Sequence, residues 1–331
     1  FSKSKQQILK DIPNALVLPA IPKASFWKIN TLVFWLVCLF LRPHSIIARN
    51  VIAANMALKV KKFSTAKSIC FDGRGAIAAE WKEYDVTVVD SWKRNIDHLE
   101  SRAVLESDFK IAVTEKLVDY WHERYGYSDG KHVVIPCTLN SSFKAEVPTD
   151  AAKVEARTKL GLQPEDVVLA YSGSIAGWQS FPELYKYLGP FLQKSTSNKI
   201  IFLAKEEENI TRLEKEFPGQ VLRKWVSHHE VPVVLTACDM GILIREQSVT
   251  NKVASPTKFA EYLSAGLPVI ISDGVGDYSD FVRKNGCGVI ANGQGIPPLQ
   301  PADYSTRAKM IELVTKNFTK DAQLEHYKEL I

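Results

Sequence analysis

Two rhythms of apolar and polar positions run along this chain. Segments with apolar residues three and four apart, the spacing of one helix face, alternate with short runs rich in β-branched residues that read as strands. In the first half the pattern predicts a helix in "SKQQILKDI", a strand-like "ALVLPA" at 15–20, an apolar helix around 28–41, a strand at "SIIAR", a helix over 50–61 and a strand at "KSICFD". After a loop come a helix around 90–107, a strand at "KIAVT", a helix over 115–125 and a strand at "HVVIP". From 138 to 163 the rhythm weakens, and Pro, Ser, Asn and charged residues collect as in a linker. It then restarts with a strand at "VVLAYSG", a helix in "FPELYKYLGPFL", a strand at "KIIFLA", a charged helix over 206–216 and a strand at "QVLRKWV". A Ser227–Glu230 capping box precedes "VPVVLTAC", followed by a strand at "MGILI", a helix of about ten residues inside "SPTKFAEYLSAG", a strand at "LPVIIS" and an amphipathic helical stretch over roughly 303–331.

Strands separated by helices in this way imply an α/β protein with parallel, doubly wound sheets. The expected organisation is two Rossmann-like domains, 1–145 and 164–315, joined by a linker over 146–163, with a closing helix over 316–331 that crosses back to the first domain. Ligands of such sheets sit beyond the carboxyl ends of the strands, so a cleft between the two domains is the expected site. The visible chain opens on a helix, whereas a doubly wound domain normally opens on a strand and a Gly-rich turn. The expectation is that the first strand of the first domain is missing from this numbering.

Composition narrows the picture only a little. At 331 residues, 46% hydrophobic and 24% charged, the chain can bury two ordinary cores. A net charge of +5 is compatible with a small anionic ligand or a loose membrane surface, and no block of consecutive Lys and Arg argues for nucleic acid. Five scattered cysteines, never spaced as C-x-x-C, read as buried free thiols and not as a disulfide framework or zinc site. The longest apolar run, "TLVFWLVCLFL" at 31–41, falls short of the roughly 20 residues that cross a bilayer. It reads first as a buried helix and second as a membrane-facing patch.

The most informative stretch is "SPTKFAEYLSAGLPVIISD", 255–273. Ser255 suits an N-cap, Pro256 the first helical position and Gly266 the stop. Phe259, Tyr262 and Leu263 form an apolar stripe at i, i+3, i+4. Lys258 then falls in the first turn, where the helix dipole disfavours a cation by about 0.3–1 kcal/mol. An anion at that helix end reverses the sign, because exposed N–H groups and an ammonium converge on it. Glu261, one turn on, suits sugar hydroxyls. The plain alternative is an exposed Lys258–Glu261 pair. In "AYSGSIAGWQSFPEL", Gly173 and Gly177 permit a tight turn before a helix, a phosphate-cradle geometry without the lysine of a P-loop, or else an ordinary strand–helix loop. His228, His229 and Glu230 open a helix and are explained by capping. No Asp-x-Asp occurs, so a carboxylate-held metal is not indicated.

These residues carry a resemblance. "VASPTKFAEYLSAGLPVI" resembles the donor-site signature of the GT-B glycosyltransferases, in the large retaining group that includes many bacterial cell-surface polysaccharide enzymes. "SHHEVPVVLTACDMGILIRE" and "YSGSIAGWQ" are similar to that group's lead into the site and to its donor loop. "SIIARN", "CFDGRGAIAAEW" and "ESDFKIAVTEKLVDYW…VVIPCTLN" resemble its first-domain strand ends and its run into the linker. The resemblance implies that Glu261, the second glutamate of an E-x7-E motif, holds a ribose and that Lys258 and Arg245 meet a diphosphate. It implies that Gly173 and Ser174 approach phosphates or sugar, with Pro256 and Thr257 at the helix start, and that Trp225 and Val226 meet the base. Asp72 and Arg74 are implied at the acceptor or transferred sugar, with Glu80 a weaker candidate. The first glutamate of the motif falls at Val253, so its contact with the sugar is absent or moved to Glu246 or Asn251. The arginine and lysine usual after the donor loop are also replaced.

The implied activity is retaining, metal-independent transfer of a sugar from a UDP- or GDP-type donor to a saccharide or lipid-linked acceptor. No cofactor and no nucleic acid partner are implied. The implied location is cytoplasmic, at the inner face of the plasma membrane for a peripheral protein. A non-catalytic nucleotide-sugar binding subunit and a nucleotide-sugar epimerase on the same scaffold are the alternatives.

Overall fold

The computed structural model describes residues 2–20, 26–86, 90–139, 143, 146–173, 177–291, 293, 295–299 and 301–329. The first elements are helix α1 (Ser2–Asp11), helix α2 (Trp27–Leu41), strand β1 (Ser45–Arg49), helix α3 (Val51–Lys61), strand β2 (Ser68–Asp72), helix α4 (Ile77–Glu83) and helix α5 (Asp90–Glu106). Strand β3 (Phe109–Ala112), helix α6 (Glu115–Tyr125) and strand β4 (His132–Val134) follow. Strands β1 to β4 form a four-stranded sheet in that order. β1 and β2 run parallel, with Ser45 opposite Ser68 and Arg49 opposite Asp72. The strand expected at 15–20 does not form. Pro19 has no N–H for a ladder and holds φ fixed, and Leu16 and Leu18 stay 65% and 50% exposed. Helix α4, in a stretch read as loop, is the other departure in this half.

The second series begins with helix α7 (Asp150–Leu160), strand β5 (Val167–Ser172), helix α8 (Phe181–Lys194), strand β6 (Asn198–Leu203), helix α9 (Glu208–Glu216) and strand β7 (Val221–Lys224). It continues with helix α10 (Val231–Thr236), strand β8 (Met240–Leu243), helix α11 (Val249–Lys252), helix α12 (Thr257–Ser264), strand β9 (Val269–Ser272), helix α13 (Tyr278–Asn285) and strand β10 (Gly288–Ala291). Helices α14 (Tyr304–Asn317) and α15 (Leu324–Lys328) close it. The six strands lie in the order β10-β9-β8-β5-β6-β7, and every pair is parallel. Counted from β5, this is the doubly wound order 3-2-1-4-5-6, whose topological switch point lies between β5 and β8. By contact density the chain divides into residues 1–72 with 98–110 and residues 73–97 with 111–331.

Two packing devices set the switch point. Tyr262 of α12 lies flat over β8. A Cβ on Gly241 would come 2.2 Å from its ring, so only glycine lets the helix approach this closely. The Tyr262 hydroxyl accepts the Ser172 N–H at 2.9 Å and reaches the Ile242 carbonyl at 3.4 Å, tying the end of β5 to β8.

The second device is a buried ion cluster inside the expected linker. Thr149 caps α7 by accepting the Ala152 N–H at 3.1 Å, and Gly161 stops the helix at φ 72°. Asp239, fully buried before β8, then pairs with Lys153 and Arg157, each at 2.7 Å, and accepts the Val168 N–H at 2.8 Å. Arg157 also donates to the carbonyls of Ala237, Gln163, Pro164 and Asp166. Residues 150–160 are therefore a packed helix in place of the linker read from their composition. Removing the carboxylate strands the buried Arg157 and the half-buried Lys153. The Asp239→Ala variant is expected to lose about 3–5 kcal/mol in denaturant unfolding, whereas an exposed pair such as Lys159–Glu155 is worth less than about 1 kcal/mol.

Candidate functional site

The carboxyl ends of β5 and β8 face the amino end of α12. Its first turn is not capped as expected: the N-cap is Pro256, which supplies no side-chain acceptor, and Thr257 is the first helical residue. Ser255 is engaged elsewhere, accepting the Cys137 N–H at 2.8 Å and lying 2.5 Å from the Tyr278 hydroxyl. The free N–H groups of the first turn therefore keep their positive end. Pro256 is buried and Thr257 exposed.

Lys258 sits beside that end and is buried, at 7% exposure. Its ammonium donates to Gln179 Oε1 at 3.0 Å and lies 4.1 Å from the centre of the Tyr171 ring. Burial, then the neighbouring Arg245, push its pKa well below the ordinary lysine value, while Glu261 pulls the other way. The exposed Lys258–Glu261 pair is thus overturned, since the lysine is buried and takes a neutral amide as partner. Glu261 accepts from Ser172 Oγ at 3.2 Å, and burial raises its pKa.

Arg245 lies two residues beyond the end of β8 and is also buried, at 7% exposure. Its N–H donates to Ser272 Oγ at 2.9 Å and its guanidinium to Asn251 Oδ1 at 3.1 Å. The buried Arg245 Nε has no hydrogen-bond partner among the described residues. Burial lowers the pKa of this arginine too. Among the described residues no carboxylate lies within ion-pair distance of Arg245 or Lys258. Two buried cations, one aromatic face and an open helix end therefore converge, with Glu261 acting on Lys258 only from beyond ion-pair distance.

The surrounding loops hold this arrangement. Gly173 leaves β5 at φ 110°, with its N–H on the Leu203 carbonyl at 3.1 Å. A Cβ there would lie 3.6 Å from Lys258 Nζ, and that φ strains any L side chain. Ser174 falls outside the described residues. Asn251, fully buried, donates to the Glu246 carbonyl at 3.2 Å and to the Tyr84 hydroxyl at 3.3 Å. Tyr84 in turn donates to Glu246 Oε1 at 2.8 Å, and burial pushes its pKa up to about 12. Glu83 caps α11 by accepting from the Val249 and Thr250 N–H groups and from the Thr250 hydroxyl, at 2.8, 3.0 and 2.6 Å. Val253, where the resembled group carries its first glutamate, is buried apolar, with its N–H on the Val249 carbonyl at 3.3 Å and its carbonyl accepting from Thr114 Oγ1 at 2.9 Å.

The structure thus gathers Gly173, Arg245, Glu246, Asn251, Pro256, Thr257, Lys258 and Glu261 around the switch point. Arg74 approaches Cys137 Sγ at 3.8 Å, and Cys137 is bonded to Ser255 just ahead of α12. Trp225 and Val226 follow β7. The tryptophan is 67% exposed with Lys205 Nζ 5.1 Å from its ring, and Val226 packs on the core. Asp72, in the other unit, ends β2 buried, with Arg49 Nε on its carboxylate at 2.8 Å. Glu80 is half-buried on α4, and burial raises its pKa. Half of the expected capping box forms: Glu230 accepts the Ser227 N–H at 2.9 Å, but the Ser227 hydroxyl donates to the same carboxylate. Tyr84, Gln179, Tyr171 and Ser172 were not anticipated. Gln179 stands in the loop where the resembled group carries cations, and that replacement was its one sequence signal. A separate cavity of about 510 Å3, lined by His132, Tyr278, Phe318 and Gln323, contains none of these side chains.

No family model matches the chain, and no curated protein matches it in sequence. Solved structures do. HepE of Anabaena, crystallised in complex with UDP, superposes with TM-score 0.73 at 12% identity, covering 99% of this chain and 89% of that one. Sucrose-phosphate synthase from Thermosynechococcus elongatus gives TM-score 0.67 at 15% identity over 96% and 81%. WaaG, a glycosyltransferase involved in lipopolysaccharide biosynthesis, gives 0.58 at 15% identity over 85% and 81%. The chain has the GT-B fold. Two parallel sheets of four and six strands agree with that expectation.

In the ligand-free GT-B chain Lys258 is a liability. A lysine whose folded pKa is depressed costs stability in full below that folded pKa, and the cost fades as pH rises to the ordinary value of 10.5. Lys258→Met is therefore expected to stabilise the free protein by about 1–4 kcal/mol, with the gain shrinking towards alkaline pH. Thermal unfolding across a pH series checks both the sign and the trend.

Proposed function

We propose that this protein is a glycosyltransferase that moves a sugar from a UDP- or GDP-type donor to a saccharide or lipid-linked acceptor. The reading places it in bacterial surface polysaccharide synthesis, in the cytoplasm, with the acceptor domain over 1–145 and the donor domain over 164–315. The observation that carries it is the pair of buried cations, Lys258 and Arg245, neither ion-paired to a carboxylate among the described residues, at the switch point of a doubly wound sheet. A diphosphate supplies the missing charge. Neighbours of the same fold crystallised with UDP and with UDP-glucose support a nucleotide-sugar ligand.

The chemistry follows from charge. Breaking the bond between the sugar's anomeric carbon and the diphosphate oxygen leaves an oxocarbenium-like sugar and an anionic leaving group. Lys258, the unpartnered Nε of Arg245 and the amino end of α12 stabilise that oxygen as charge develops on it. The acceptor hydroxyl forms the new bond to the same carbon, and its proton passes to the departing phosphate. The anomeric configuration is retained, and no metal holds the diphosphate. Glu261 takes the ribose hydroxyls, Trp225 and Val226 take the base, and Gly173 and Ser174 approach the phosphates. Asp72 and Arg74 serve the acceptor or the transferred sugar. Glu246 and Asn251, held by Tyr84, take over the sugar contact that Val253 does not offer.

The buried valine also favours a second reading, a nucleotide-sugar binding subunit without turnover. Incubation with radiolabelled UDP-glucose and GDP-mannose, followed for release of nucleotide and for labelled product, separates the two. Turnover with one donor, reduced at least about a hundredfold in Glu261→Ala through a lost hydrogen bond to the ribose and weaker phosphate placement, supports the transferase. A thermal shift with UDP or GDP but no turnover in either form supports the binding subunit. No shift with either nucleotide contradicts both.

A further inference from the structure

The cavity of about 510 Å3 takes one wall from the core that carries α12. Phe259, the residue after Lys258, packs its ring on Tyr278, Phe281 and Phe318, with centroids 4.8, 5.9 and 5.6 Å away. Phe318 in turn stacks on Tyr278 at 5.7 Å and meets Phe281 edge-on at 5.3 Å. Tyr278, Phe281 and Phe318 line the cavity, so an aromatic surface faces it. Sites for small molecules commonly enclose about 300–1,000 Å3, with aromatic walls and a few polar groups.

The polar part of the lining is one-sided. No lysine or arginine among the described residues lines the cavity, whereas Glu115, Asp277 and Glu329 do. Asp277 is engaged locally: its two oxygens accept the N–H groups of Glu115 and Lys116 at 2.7 and 3.2 Å, which serves the amino end of α6. The side-chain carboxylates of Glu115 and Glu329 have no hydrogen-bond or ion-pair partner among the described residues. His326, also in the lining, adds a third acceptor. Gln323 Nε2 donates to the Asn317 carbonyl at 2.7 Å, which fixes the orientation of that amide. Gln323 Oε1, 2.9 Å from His326 Nδ1, therefore accepts from that nitrogen, and a neutral ring carries its lone pair on Nε2. An anion finds neither a cation nor a free helix end here. A metal ion finds no group of three His, Cys, Asp or Glu side chains placed to hold it among the described residues. A neutral apolar molecule would leave the acceptors without donors. An organic ammonium ion satisfies both parts of the lining, because its N–H groups and charge meet the acceptors while aromatic faces attract cations and cover an apolar body.

We propose that this cavity is a second binding site, separate from the nucleotide site, and that it takes a small organic ammonium ion with an apolar body. The body rests on Phe281 and Phe318, and the head meets Glu115, Glu329 and His326 Nε2. The inference is independent of the transferase reading. It is tested by NMR titration of the full chain with phenethylamine, protonated at neutral pH, and with phenylacetate, which keeps the ring and reverses the charge. A dissociation constant on the order of a millimolar is expected for the amine, in keeping with its few non-hydrogen atoms, and no binding for the acid. Saturating UDP should leave the amine's constant unchanged. Glu115→Gln with Glu329→Gln should weaken amine binding by about tenfold or more, because two hydrogen bonds to charged groups are lost. Both positions are exposed, and thermal unfolding within a few degrees of the parent shows that folding is intact. If the double variant does not fold, Glu115→Gln decides alone. Equal binding of phenylacetate, displacement of the amine by UDP, a constant unchanged in these variants, or no binding of the amine overturns the proposal.

Discussion

Two buried cations, neither in an ion pair among the described residues, are the constraint around which the larger unit is organised. Lys258 and Arg245 both have depressed pKa values because they have lost water, and Arg245 adds to the cost of the charge on Lys258. A chain selected for stability alone would place hydrophobic residues there. The observed partners, the amide of Gln179, the amide of Asn251 and the face of Tyr171, are neutral groups that orient the cations without discharging them. Such a site stores electrostatic demand for an anion, and the open amino end of α12 adds to it.

Keeping that arrangement in place requires rigid surroundings. Tyr262 wedged over Gly241 fixes α12 against β8 and, through its hydroxyl, the last residue of β5. The buried Asp239 cluster locks α7 to the start of β5 and β8. At the other end of β8, Glu83 and Tyr84 reach from α4 to cap α11 and bind Glu246 and Asn251, so the loop carrying Arg245 is held from outside its own sheet. The loss of the motif glutamate at Val253 coincides with this network, in which the backbone at 253 and the side chain at 251 have structural duties.

Much of this was legible in the sequence, for reasons that can be located. Parallel strands buried on both faces read clearly, as at "KIIFLA" and "LPVIIS", because their apolar runs are short and bounded by turns. The Pro-x-Lys-x-x-Glu segment stood out because a first-turn lysine contradicts helix electrostatics, and the structure buries that lysine. What stayed hidden depends on long-range partners. The helix over 150–160 looked like linker because its decisive residue, Arg157, is satisfied by Asp239, 82 positions away. Tyr84 acquires meaning only from Glu246, 162 positions on.

The central claim is that the unpaired charge at the switch point exists to be met by a diphosphate. A crystal structure of the chain with UDP tests it most directly. The account predicts phosphate oxygens within hydrogen-bond distance of Lys258 Nζ and Arg245 Nε, with the ribose at Glu261. Nucleotide bound elsewhere, with Lys258 still on Gln179 and Arg245 Nε still unpartnered, would contradict it.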